Sequence, residues 1–88
     1  MAKRYVIVDI ERDDEAFACS FVDTCNTLEE ARSIMQAEFY QLCKRWPDNS
    51  TEVEQDSMLV RNNDCWDFTA CHKLIIMDTE DKRKKVWF

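Results

Sequence analysis

This sequence predicts an α+β domain: a mainly antiparallel sheet of four to five strands with one helix packed on one face, in the order ββαβββ. Three observations lead there. One amphipathic stretch carries helix signals at both ends, runs rich in β-branched and aromatic residues flank it, and the connections between neighbours are short enough for hairpins.

The first run, "KRYVIVDIE" at residues 3–11, is rich in β-branched side chains and apolar at both alternating sets of positions, so it predicts a mostly buried strand. The acidic "ERDDEA" turns the chain into residues 17–23, where Phe17, Cys19 and Phe21 share one face and Ala18, Ser20 and Val22 the other. These two strands should form a hairpin. Thr27 followed by Glu30 is a capping-box arrangement, and Leu28, Ala31, Met35, Phe39, Leu42 and Trp46 recur at helical steps. Acids in the first turn, Lys44 and Arg45 in the last, and Pro47 just beyond place the helix at residues 28–45. Residues 52–61 then read as one strand with a polar, edge-like first half. Residues 64–78 read as a long strand, and "TEDK" turns it into a terminal strand at residues 83–88.

Eighty-eight residues fit a single domain spanning residues 1–88, of a size that buries roughly 60 to 65% of its unfolded surface. The chain contains no glycine, although average usage predicts roughly six. Glycine-rich phosphate cradles and dinucleotide fingerprints are therefore excluded, and turns must use Asn, Asp and Ser. The net charge of −6 argues against direct nucleic-acid binding, which needs a concentrated basic surface, and favours a basic partner. The basic run "KRKK" at residues 82–85 follows the acidic "DTED" and fits a solvated turn and edge strand. No export signal or transmembrane segment is visible, and five cysteines is an odd number, so a cytoplasmic chain with free thiols is expected.

"CWDFTACH" at residues 65–72 holds two cysteines and the only histidine, and raises the question of metal or nucleophilic chemistry. Compact zinc signatures place paired ligands two to four residues apart on a turn. In a strand, Cys65 and Cys71 would instead lie roughly 20 Å apart, at about 3.3 Å per residue, and Cys71 and His72 would face opposite ways. A cysteine nucleophile needs a base within hydrogen-bond reach, so the segment reads as sheet, with His72 at the core margin or the surface. No metal, no cofactor and no catalytic residue are expected. The abundant carboxylates fall mainly in turns and edges, without the cleft that paired-carboxylate hydrolysis requires.

Binding is the expected chemistry. The acidic turns offer Asp13, Asp14, Glu15, Glu52, Glu54 and Asp56, and the chain ends in Trp87 and Phe88, aromatics of the kind enriched at binding hot spots. Trp46 and Trp66 are expected in the core. In general character, short, acidic, cysteine-containing and without glycine, the chain is similar to small inhibitors encoded by phages and other mobile elements, including anti-CRISPR proteins. That resemblance implies a host defence protein as partner and carries no residue roles. The first expectation is a non-enzymatic acidic module that blocks a basic or nucleic-acid-binding protein surface. The second is a self-associating structural or ligand-sequestering module built from paired strand edges. A small thiol or metal enzyme ranks below both, and neither nucleic acid nor membrane is expected as a direct partner.

Overall fold

The computed structural model describes residues 4–13, 16–63 and 70–80. Its elements run β1 (Tyr5–Arg12), β2 (Phe17–Cys25), α1 (Leu28–Arg45), β3 (Asn49–Val53), β4 (Ser57–Asn62) and β5 (Cys71–Asp78). The strands form one antiparallel sheet in the order β2-β1-β5-β4-β3. One helix on one face of this sheet is the α+β arrangement expected from the sequence.

The helix keeps its predicted limits because its end signals are satisfied locally. The Thr27 hydroxyl accepts the Glu30 N–H at 3.2 Å, so one of the orphan donors of the first turn is capped. At the other end the Trp46 N–H reaches the Leu42 carbonyl, and the Asn49 amide donates to the carbonyls of Cys43 and Trp46. The apolar stripe buries Ala31, Met35, Phe39 and Leu42. They meet Ile7, Cys25, Val60, Leu74 and Ile76 in a single core, with Trp46 only partly buried at its margin.

Two expectations are corrected. Residues 52–61 are not one strand: β3 and β4 form a hairpin, closed by the Glu54 N–H on the Ser57 carbonyl at 2.8 Å and by the Ser57 hydroxyl on the Glu54 carboxylate. With no glycine available, side chains and ordinary backbone angles make this turn, and none of the described residues has positive φ. Nor is β1 mostly buried, as its apolar run predicts. Only Ile7 of β1 is fully buried, whereas five residues of β5 are, because β5 is the middle strand of the five. The expected strand at 64–78 is met by β5 in its second half. Residues 64–69 and the expected strand at 83–88 lie outside the described residues.

One irregularity sets which side chains face outward. In the β1–β2 pairing Ile7 lies opposite Asp23 and Val8 opposite Phe21, so Val22 is an extra, bulged residue. The bulge changes the alternation: Cys25 points into the core under the helix, Val22 packs against that core, and Phe21, Cys19 and Phe17 fall on the opposite face with Val8, Ile10 and Arg12. Phe17 and Phe21 are 66% and 67% exposed there. Arg12 lays its guanidinium 5.6 Å from the Phe17 ring centre.

Candidate functional site

Three features carry chemistry: a buried histidine–carboxylate pair, an acidic end of the sheet, and the β2 edge. His72 is the sole buried polar residue of the described core, 6% exposed. It shares the helix-side face with Leu74 and Ile76, whose partners across β1 are Asp9 and Ile7. Asp9 sits diagonally to it, and the His72 Nδ1–H donates to both Asp9 carboxylate oxygens, at 2.8 and 3.0 Å. A carboxylate only accepts, so it fixes the proton on Nδ1. The Trp46 ring lies 4.9 Å from the imidazole, tilted by 51°. Nε2 faces Glu11, 3.9 Å away.

This arrangement orients an imidazole as catalytic carboxylates do, but the group facing Nε2 is another carboxylate rather than a nucleophile. Cys71 lies on the opposite face, across from Arg12 and Arg61. Among the described residues, no cluster of three or more His, Cys, Asp and Glu side chains could hold a metal ion. The pair joins β1 to β5, and the His72 ring meets Trp46 at the C-terminal end of the helix.

The candidate acids are not brought together. Asp13 sits in the β1–β2 turn, where its carboxylate accepts the Ala16 N–H at 2.8 Å. Asp14, Glu15, Trp87 and Phe88 lie outside the described residues. Glu52 is exposed in β3, while Glu54 and Asp56 occupy the β3–β4 turn at the opposite end of the sheet from Asp13, as the strand registers require. Asp56 is engaged by Arg32 at 3.0 Å, which ties the helix start to that turn.

The same end also carries Glu29 and Glu30 of the first helical turn, with Asp78 and Glu80. Arg4 pairs with Asp78 at 3.0 Å and Glu80 at 3.4 Å. The hydrogen bond to Asp78, its charge and that of Glu80 raise the Arg4 guanidinium above its ordinary value. Both described arginines at this end are thus committed to ion pairs. Among the described residues, Glu29, Glu30, Glu52 and Glu54 have no such partner.

The β2 edge is the feature that sequence reading missed, along with the Asp9–His72 pair. Alternation places Phe17, Cys19 and Phe21 together, but does not say that the helix lies on the other face. For Asp9 part of the signal was present: it shares parity with Ile7, and His72 shares parity with Leu74, but only the β1–β5 register brings the two together under the helix. The thiols differ as their surroundings do: Cys19 is exposed, Cys25 and Cys71 are buried, and burial pushes the Cys43 thiol up. Of these four, Cys19 is expected to react first with a maleimide under native conditions. Peptide mapping checks this, and equal labelling of Cys25 or Cys71 would contradict the burial.

No family model, no curated protein and no solved structure matches this chain. No helix of the described residues is long and apolar enough to cross a membrane.

Proposed function

We propose that the chain is a non-enzymatic protein-binding module whose acidic end docks on a basic protein surface. The observation that supports this best is the placement of Glu29 and Glu30 at the helix start and Glu54 in the β3–β4 turn at one end of the sheet, whereas Glu52 faces away from the helix with Leu59 and Lys73. At that end the two described arginines, Arg4 and Arg32, are already paired. The carboxylates of Glu29, Glu30 and Glu54, without ion-pair partners among the described residues, present a negative field that a lysine- and arginine-rich surface can meet. The specific version is an inhibitor that occupies the nucleic-acid-binding surface of a host defence protein, where carboxylates stand in for phosphates. Asp13, at the far end of the sheet, belongs to no such grouping, and the basic run at residues 82–85 lies outside the described residues.

The test is affinity capture across a salt series with wild-type chain and a Glu29→Lys/Glu30→Lys/Glu54→Lys variant. A partner held at low salt, released as salt rises, and bound at least about tenfold more weakly by the variant is the expected result. Asp48→Asn, a charge loss elsewhere, should leave capture unchanged. Binding indifferent both to salt and to the three reversals would sink the proposal.

A further inference from the structure

We propose that β2 pairs antiparallel with β2 of a second copy of this chain, about a two-fold axis through Cys19. The inference stands apart from the acidic-end reading, because it uses a different edge of the sheet and a different chemistry.

The first support is hydrogen-bond phase. The Asp13 N–H donates to the Ala16 carbonyl at 3.1 Å, which makes that a hydrogen-bonded pair of the β1–β2 hairpin. Bonded and non-bonded pairs alternate in an antiparallel ladder. Ala18 and Ser20 therefore turn their backbone groups toward β1, and Cys19 and Phe21 turn theirs outward, along an edge that no other described strand covers.

The second support is symmetry. A two-fold interface brings the same strand against itself, so residues equally spaced on either side of the axis must be compatible. Between the turn and the bulge at Val22 lie residues 17–21, "FACSF", which read alike from both ends: aromatic, small, cysteine, small, aromatic. With Cys19 opposite Cys19, Phe17 of each copy faces the partner's Phe21, and Ala18 faces the partner's Ser20. This register also pairs outward-facing groups with outward-facing groups, as the ladder demands.

The third support is charge. A chain of net charge −6 repels itself, and a second copy is tolerated best along an uncharged line. Residues 16–22 carry no charge. The other edge, β3, is only five residues long, carries Glu52 and runs into Glu54 and Asp56, which is how proteins guard an edge against pairing. Area points the same way. Four phenylalanine rings, about two-thirds exposed in each free chain, would contribute roughly 500 Å² of contact surface. That is half of the about 1,000 Å² that a specific interface needs, with the paired backbones and flanking side chains supplying the rest.

Sedimentation of the reduced protein tests the pairing, with twice the 10.5 kDa chain mass expected. Phe21→Lys, at an exposed position, should weaken the dimer at least about tenfold while far-UV circular dichroism is unchanged. An added thiol oxidant such as diamide supplies a second readout. Hydrogen-bonded antiparallel pairs have Cα atoms about 5.5 Å apart, within disulfide range. Wild type should therefore give a covalent dimer, and Cys19→Ser should give none yet still sediment as a dimer. A monomer at all concentrations, a dimer that survives Phe21→Lys, or a cross-link that survives Cys19→Ser overturns the proposal. Phe21→Lys leaves the acidic end intact, so capture of a basic partner by this variant separates the two readings.

Discussion

Leu74→Ala is expected to remove about 3 kcal/mol of folding stability, within the 2 to 5 kcal/mol typical of fully buried leucines. Leu74 has no exposed surface and belongs to the middle strand of the sheet. It sits between Asp9 of β1 and Met58 of β4 on the face that carries the helix. Truncation there leaves a void walled by two hydrogen-bonded neighbours and a capped helix, none of which can move in to fill it. A domain of this size has on the order of 5 to 10 kcal/mol in total, so the loss is a large fraction of its stability. Urea unfolding should show a lower midpoint at unchanged slope. Val53→Thr, at a position 60% exposed, serves as the control and should stay within about 0.5 kcal/mol of wild type. A Leu74→Ala loss below about 1 kcal/mol would mean that the core collapses around the gap, against the tight placement of this residue.

The parts of the fold written in local chemistry were legible in the sequence. The helix limits follow from Thr27, Glu30, Lys44, Arg45 and Pro47, all of which act within one turn of the chain. The first hairpin follows from alternation and an acidic turn. The β3–β4 hairpin was not legible, because its turn uses Glu54, Gln55 and Asp56, residues equally at home in a polar edge strand, and no glycine or asparagine marks it. Burial of β1 relative to β5 depends on strand order, which pairing at long range decides. The bulge at Val22 is likewise invisible in the periodicity of β2, yet it decides that Cys25 enters the core while Phe21 and Cys19 face away from the helix. Glu52 and Glu54 are exposed, as the polar first half of the expected edge strand implied, although that strand is a hairpin. Their distance from Asp13 and the commitment of Asp56 to Arg32 are tertiary facts. What can bind is thus set by two long-range choices: which face the helix covers, and which strands end the sheet.

His72→Leu is expected to be more damaging than Asp9→Leu, and the double variant less damaging than His72→Leu alone. The order follows from what each change leaves behind. Without the imidazole, the Asp9 carboxylate, its side chain 13% exposed, stays beside Leu74 and beneath the helix with its hydrogen-bond donor gone. Stranding a buried charge in this way costs about 3 to 5 kcal/mol. Without the carboxylate, the imidazole loses its hydrogen-bond acceptor and keeps its contact with Trp46, which costs about 1 to 3 kcal/mol. Replacing both with leucine removes the stranded groups together, so the two losses do not add. A double-mutant cycle in urea at neutral pH measures the coupling, and Trp46 fluorescence, read in a background with Trp66→Phe and Trp87→Phe, reports whether the end of the helix stays docked on β5. Additive losses would show that Asp9 and His72 do not act as one unit. A His72→Leu variant as stable as wild type would show that Asp9 finds water once the ring is gone, and that the helix end is held by Asn49 and the Trp46 contact with the core alone.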